Sequence, residues 1–422
     1  MKVRLKGYAE QTMVDDALKK YLNEVNIKSL QLEKTPILEA LGRILAEDVK
    51  AELDVPHFNR SAVDGYAVKS EDTFGASAIN PIIIDVLGVA EMGRVPNINV
   101  RKLQAVRIST GAPLPQGVDS VVMLEYTEKI SEEKIALYRP GTPGRNVSKR
   151  GEDIKKGQKV LRKGTFLQPL DIGILAAIGV VDINIVRKPK VAILSTGNEL
   201  IEPGKKISIG RIVDTNRLSI SAAVKNAGGE PLDLGIAKDK MEKIRSKISK
   251  GLVLADLVLV SGGTSVGERD FVPEVVNSLG KPGIIIHGIS MRPGKPTALA
   301  AVHGKPIILL PGYPVAAMMA FNTFVDPIIA RMLGTSFGRI HRQVILARMM
   351  RRIPSSPGIR DFARVVVKKT DMGYIADPIR TKGAGIISSI VKANGLVVIP
   401  EEREGVEEGD EVEVTLLRPL EK

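Results

Sequence analysis

The chain has 422 residues, a formal charge of +13, 44% hydrophobic and 26% charged residues, and no cysteine. At roughly 150 residues per domain the length predicts about three domains, and the composition excludes a largely disordered or fibrous protein. Without cysteine there is no disulfide, no thiolate-built zinc or iron–sulfur site and no thiol nucleophile. The four histidines, His57, His287, His303 and His341, stand at no metal-ligand spacing.

The N-terminal stretch MKVRLKGYAEQTMVDD is charged and lacks an apolar core, so it does not read as a signal peptide. Val14, Leu18, Tyr21 and Leu22 predict a helix over 12–24, and EKTPILEALGRIL predicts a second over 34–46. From Asp54 to about Pro140, short apolar runs between Gly/Pro turns predict an antiparallel β unit. Residues 141–166 form a Gly- and Lys-rich connector, followed by a helix at Leu170–Ile178.

From Pro189 to about Gly334 strands and helices alternate. The expected strands are Val191–Ser195, Leu232–Ile236, Asp256–Ser261, Gly283–His287 and Pro306–Leu310. The expected helices are Asn216–Asn226, Lys240–Ser249, Val272–Ser278 and Pro314–Leu333. That rhythm predicts a doubly wound, mostly parallel α/β sheet. Pro314–Leu333 is the longest apolar window, but Asn322, Asp326, Pro327 and Arg331 make it read as a buried helix. With no export or membrane signal, a cytoplasmic location and no membrane partner are expected. After Gly334 the β pattern returns and predicts a C-terminal β-barrel-like domain.

Basic residues cluster at Arg139–Lys163 and again from Arg331 to Arg360, which suits anionic ligands as well as solvated faces. No nucleic-acid-binding motif is present, and 4% aromatics offers little for base stacking, so a nucleic-acid partner is not expected. The absence of cysteine beside many Lys, Arg and Glu resembles thermophile usage.

In an open parallel sheet, ligands bind beyond the carboxyl ends of the strands. The loops that follow the expected strands carry Glu199, Asp239, then Gly262, Gly263, Thr264, Ser265, Gly267, Glu268 and Asp270, then Arg292 and Lys295, and finally Pro311 and Gly312. The loop SGGTSVGERDF combines three glycines with two hydroxyls just before a helix, an arrangement that cradles a phosphate or oxoanion. It is neither a Walker A loop nor a dinucleotide fingerprint. Arg292 and Lys295 flank a Pro-Gly turn suited to a phosphate- or molybdate-like dianion. Carboxylates beside an anion site imply a shared cation, for which Mg²⁺ is the natural choice. Asp214 reads as the cap of the helix at Asn216. Upstream, PHFNRSAVDGYAV brings Arg60, Ser61 and Asp64 into one short loop, and His57 reads as packing or surface.

Seven ordered motifs, PHFNRSAVDGYAV, RISTGAPLPQGVDSVV, GRNVSKRGEDI, KPKVAILSTGNEL, ADLVLVSGGTSVGERD, RPGKP and LPGYPVAA, resemble the molybdopterin molybdenumtransferases, the family shared with the E domain of gephyrin. The resemblance implies an elongated linker domain (1–53 and 141–186), an inserted β domain (54–140), an α/β molybdopterin-binding domain (187–334) and a C-terminal β domain (335–422). It implies a homodimer with a site shared between subunits, and a molybdopterin adenylyltransferase as the upstream partner. The implied reaction inserts molybdate or tungstate into adenylylated molybdopterin and releases AMP, with Mg²⁺ required.

By motif, Asp64, Thr110, Asp153, Glu199, Asp239, Asp270 and Arg292 fall on family functional positions. Glu199 and Asp270 would hold metal. Gly262, Gly263, Ser265, Gly267, Lys295, Pro311 and Gly312 would bind the cofactor substrate. The chain departs from the family pattern at Arg292, where lysine is usual, at Tyr313, where asparagine is usual, and at Ser148, where arginine is common.

Overall fold

Val14, Ala17, Tyr21 and Val25 recur at helical spacing and form the buried stripe of α1 (Val14–Val25), which ends at Asn26 in the left-handed conformation. A computed structural model of the chain describes residues 11–263, 271–335, 343–379 and 385–420. The chain divides into two units, Met1–Leu32 with Val186–Lys422 and, inserted between them, Glu33–Ile185.

The inserted unit holds a six-stranded sheet of β1 (Gly65–Val68), β2 (Ile82–Ala90), β3 (Gln104–Ile108), β4 (Ser120–Met123), β5 (Thr127–Lys129) and β6 (Lys134–Leu137), in the order β4-β1-β3-β2-β6-β5. Alternate residues feed two apolar clusters. Tyr66 and Val68 join Ile84 and Leu137, and Ala67 joins Val106 and Val121. The expected all-antiparallel pattern is corrected at one place: β2 and β3 run parallel, because the connection 91–103 carries the chain back before β3 starts.

A further core gathers Leu45, Ile154, Leu167, Ile178 and Ile185 around α2 (Pro169–Ala177). The helix expected over 34–46 is absent. Leu32–Pro36 is extended and Ile37–Ala40 makes one 3₁₀ turn. Gly42 lies at φ 69°, and the Gly42 and Leu45 amides donate to Leu167 and Thr165 at 2.9 Å each, so these amides serve neighbouring extended chain and not a helix ladder.

The other unit contains β7 (Lys190–Thr196), α3 (Asn216–Asn226), β8 (Glu230–Ala237), α4 (Met241–Leu254), β9 (Leu257–Ser261), α5 (Val272–Leu279), β10 (Pro282–His287), β11 (Ala298–Val302) and β12 (Lys305–Leu310). The sheet order is β8-β7-β9-β12-β11-β10. The first four strands are parallel, while β11 is antiparallel to both its neighbours. β11 is a strand the sequence pattern did not predict. Because it alone is reversed, β10 still ends at the same edge as β7, β8, β9 and β12. α4 packs with α5, and α3 packs with α6 (Pro314–Ala320), which continues through a π turn, Phe321–Val325, into α7 (Asp326–Met332). Pro314–Met332 is long and apolar enough to cross a membrane by composition, but 67% of its apolar window is buried inside the protein, as a core helix requires.

Past α7 comes a barrel of β13 (Val344–Met349), β14 (Arg360–Thr370), β15 (Gly373–Pro378), β16 (Gly395–Ile399) and β17 (Glu411–Leu416). These run in ring order β14-β15-β13-β17-β16 and close through β16 onto β14, around Val365, Val397 and Val414. Residues Met291–Arg292 pair with the edge of β14, joining barrel to α/β sheet. α1 docks in the same unit. Tyr21 Oη donates to the Ala300 carbonyl at 2.8 Å, and the Arg360 guanidinium donates to both Asp15 carboxylate oxygens at 2.9 and 2.8 Å.

Candidate functional site

At the carboxyl edge of the α/β sheet, three strand ends and one helix start converge. β9 runs out through Gly262 (φ 90°) and Gly263 (φ 64°), a left-handed pair that side-chain-bearing residues rarely adopt. A Cβ on Gly262 would stand 2.5 Å from the Thr196 carbonyl oxygen at the end of β7, and one on Gly263 would stand 2.7 Å from Val272 Cγ2. Glycine is therefore required at 262 by close backbone approach, and at 263 by a packed side chain, as well as by φ. The Gly262 amide donates to the Leu310 carbonyl at 3.1 Å, and Gly312 lies against Gly262 Cα. Asn216, the first residue of α3, donates its amide to Ser261 Oγ and to the Gly312 carbonyl, each at 2.8 Å, and so clamps the β9 and β12 loops together. Pro311 is buried behind this clamp.

Thr196 Oγ1 is buried beside the glycine pair with no hydrogen-bond partner among the described residues. A buried hydroxyl without a partner is costly in a closed core, and this one lies at a strand end beside the glycine pair. Ser265, Gly267, Thr264, Glu268 and Asp270, all predicted for this cradle, lie outside the described residues.

Two predicted acids on this edge have distinct settings. Asp239 accepts the Asn198 amide at 3.1 Å while its own amide donates to Asn198 Oδ1 at 3.2 Å, a reciprocal tie between the loops after β7 and β8. Glu199 is exposed, its carboxylate turned back over Gly197. Among the described residues no three His, Asp or Glu side chains converge as a metal cage. Asp214 behaves as the sequence suggested: its carboxylate accepts the Arg217 amide at 3.2 Å. It also receives Ser195 Oγ at 3.0 Å and the Arg217 guanidinium, which extends to Asp233 and Glu202. Burial works against charge on Arg217, yet its bonds to Asp233 and Asp214 push its pKa up.

The turn after β10 is pinned by amides of Gly288 and Ile289 on the carbonyls of Thr297 and Lys295, at 3.1 and 3.0 Å. Lys295 is exposed at its tip. Arg292 is not a free cation: Nε donates to Asp361 Oδ1 at 2.6 Å and Nη2 to Asp361 Oδ2. The pair, formed with a residue of the barrel, raises the guanidinium pKa despite burial. Tyr313, at the start of α6, is 65% exposed, and its ring edge lies against Gly385.

In the inserted unit, Asp64 and Thr110 meet. Asp64 Oδ1 accepts the Thr110 amide at 2.7 Å and its hydroxyl at 3.1 Å, and both residues are exposed. Asp153 is exposed nearby in sequence to Ser148, whose hydroxyl holds Glu152. That hydrogen bond, with the Lys149 amide at 2.7 Å, keeps the Glu152 carboxyl below its usual range. Asn216, Thr196 and Asp361 are the residues that sequence reasoning did not assign to the edge. Asn216 was visible only as a helix start, and Thr196 only as the first residue of the loop after the expected strand Val191–Ser195.

Comparisons with known proteins agree along the whole chain. Residues 12–179 match the MoeA N-terminal region (domains I and II), 192–331 a probable molybdopterin binding domain, and 346–417 the MoeA C-terminal region (domain IV). A putative molybdopterin biosynthesis protein of Methanocaldococcus jannaschii is 37% identical over 97% of both chains. A molybdopterin molybdenumtransferase of Bacillus subtilis is 33% identical over 93% of this chain and 91% of its own. A crystal structure of a molybdopterin biosynthesis MoeA protein from Pyrococcus horikoshii superposes with a TM-score of 0.84 at 37% identity, covering 97% of this chain and 100% of that one. The ordered motifs, the α/β edge and these matches lead to one conclusion: the chain belongs to the MoeA family of molybdenum cofactor biosynthesis proteins.

Proposed function

We propose that this protein is a molybdopterin molybdenumtransferase: it takes adenylylated molybdopterin and molybdate or tungstate, cleaves the pyrophosphate and releases AMP with the metal-loaded cofactor. The observation that carries the reading is the convergence of Thr196, Gly262, Gly263, Asn216 and Gly312 at one sheet edge, in a chain that aligns over 93% of its length with a molybdopterin molybdenumtransferase. The Thr196 hydroxyl beside the glycine pair donates to phosphate oxygens, and the Arg292–Lys295 turn orients the incoming oxoanion. Orientation is what the fold supplies, since the substrate's own sulfurs bind the metal being inserted. Mg²⁺, when bound, would offset phosphate charge. Exposed Glu199 suits a cation shared with substrate phosphates, and Asp270 is the proposed second carboxylate. Asp64 and Thr110 are proposed to complete the site from a partner subunit in a homodimer, with a molybdopterin adenylyltransferase supplying the substrate.

The test is to incubate the protein with adenylylated molybdopterin, molybdate or tungstate, and Mg²⁺, and then to measure AMP and reconstitution of a cofactor-free molybdoenzyme. AMP release that needs both oxoanion and Mg²⁺ is expected. Intact substrate after incubation would overturn the reading, and AMP release undiminished by chelator would remove Mg²⁺ from it.

A further inference from the structure

Arg292 and Asp361 are joined by two routes at once. Their backbones sit opposite each other where Met291–Arg292 runs along β14, and their side chains form a two-point ion pair. Asp361 is itself held: Ser355 Oγ donates to its Oδ2 at 2.5 Å, and its side chain is 9% exposed against 52% for Arg292. The carboxylate is thus the fixed partner and the guanidinium the presented one. Of the five N–H bonds of an arginine, Nε and one on Nη2 are taken, leaving the outer Nη1 edge turned away from the carboxylate. A lysine could not be registered in this way, because an ammonium has no fork.

Resting on the function proposed above, we propose that Asp361 is a positioning residue: it sets the orientation of Arg292 and lowers the net charge that a tetrahedral oxodianion meets at this turn. The barrel is then part of the site. A lone cation at the turn would attract molybdate or phosphate more strongly but without a defined edge to receive it. The pair trades affinity for register, so the anion is aligned and the product leaves readily. The Tyr313 ring against Gly385 is a second place where barrel backbone reaches a loop of the same sheet edge.

Asp361→Asn keeps the shape and removes the charge. Taking one negative charge away from the cation that meets a dianion should tighten binding by about threefold or more at physiological salt. Equilibrium dialysis with molybdate, and separately with inorganic phosphate, reads this without turnover and separates the two anion sources. The same variant should lower both KM for molybdate and kcat for AMP release, kcat by tenfold or more. Arg292→Lys keeps the charge and loses the fork, so its molybdate affinity should stay within about twofold while kcat falls. Far-UV circular dichroism checks that each variant is folded.

A purely structural tie between barrel and sheet would move the melting temperature and leave the affinity unchanged. Unchanged or weaker anion binding in folded Asp361→Asn would overturn the proposal. If that variant does not fold, wild-type kcat in Arg292→Lys would overturn it instead. Should the wild-type protein release no AMP, the function reading fails by itself, and dialysis still decides the role of the pair.

Discussion

Gly262→Ala tests whether the glycine pair is a geometric requirement. At φ 90° an alanine costs about 1–3 kcal/mol in backbone strain. Its Cβ would also stand 2.5 Å from the Thr196 carbonyl oxygen, so β7 and the β9 loop must part by several tenths of an ångström. That shift loosens the Gly262–Leu310 hydrogen bond, and the total destabilisation is about 2–4 kcal/mol. At roughly 2–4 °C per kcal/mol for a domain of this size, the melt should fall by about 5–15 °C. The chain has no tryptophan, so calorimetry or far-UV circular dichroism follows the melt. AMP release should fall about a hundredfold, because a displacement approaching 1 Å in a phosphate cradle has that effect. Gly312→Ala is the control for stability: its Cβ would meet Gly262 Cα at an ordinary 3.7 Å, so it should melt within about 2 °C of wild type. A Gly262→Ala protein with wild-type melting and turnover would refute the reasoning, as would equal damage from Gly312→Ala.

Arg217→Met leaves Asp214, 2% exposed, as a buried charge with one hydroxyl and one amide, and should cost about 3–5 kcal/mol, read as a melt lowered by at least about 6 °C. Asp256 is desolvated, which alone would raise its pKa, but two 2.7 Å bonds from Arg187 and one from the Lys190 amide hold it below the usual value. Its stabilisation is therefore full above the ordinary carboxyl pKa of about 3.9 and lost as pH falls through the lower folded value. Melts from pH 7 to pH 3 should show a smaller acid loss in Asp256→Asn than in wild type, and equal slopes would exclude the pair as a contributor. For the proposed shared site, refolded mixtures of inactive Asp64→Ala and Asp270→Ala subunits should regain about a quarter of wild-type activity. No recovery in confirmed heterodimers would place both residues in one subunit's site.

The parallel core was legible because strands buried on both faces are written as unbroken apolar runs, such as Val191–Leu194 and Leu257–Val260. β11 was not: Ala298, Ala300 and Ala301 have weak strand preference, and their conformation is imposed by β10 and β12 on either side. The 34–46 segment carries helical spacing, but Gly42 and the hydrogen bonds to Leu167 and Thr165 override it. Short apolar runs between turns mark β2 and β3 as strands and say nothing about direction, hence the missed parallel pair. At the sheet edge, the loops that carry Glu199, Gly262, Gly263 and Gly312 were legible by composition. The partners that fix them were not: Asp361 lies 69 residues from Arg292, and Gly312 lies 96 from Asn216.

The docking of α1 has a consequence for biosynthesis. Tyr21 meets a carbonyl 279 residues later in the chain, and Asp15 meets a guanidinium 345 residues later. At about 5–20 residues per second, roughly 20–70 s of translation separate Asp15 from its partner. A helix of 12 residues is marginal alone in water, so the apolar stripe of α1 waits unsheltered while the inserted unit, with cores of its own, completes folding. Only a ribosome that has released β10 and β11 from the exit tunnel yields a chain able to cover that stripe, because α1 packs against those two strands. A prematurely terminated product instead displays Val14, Ala17, Tyr21 and Val25 to chaperones and proteases.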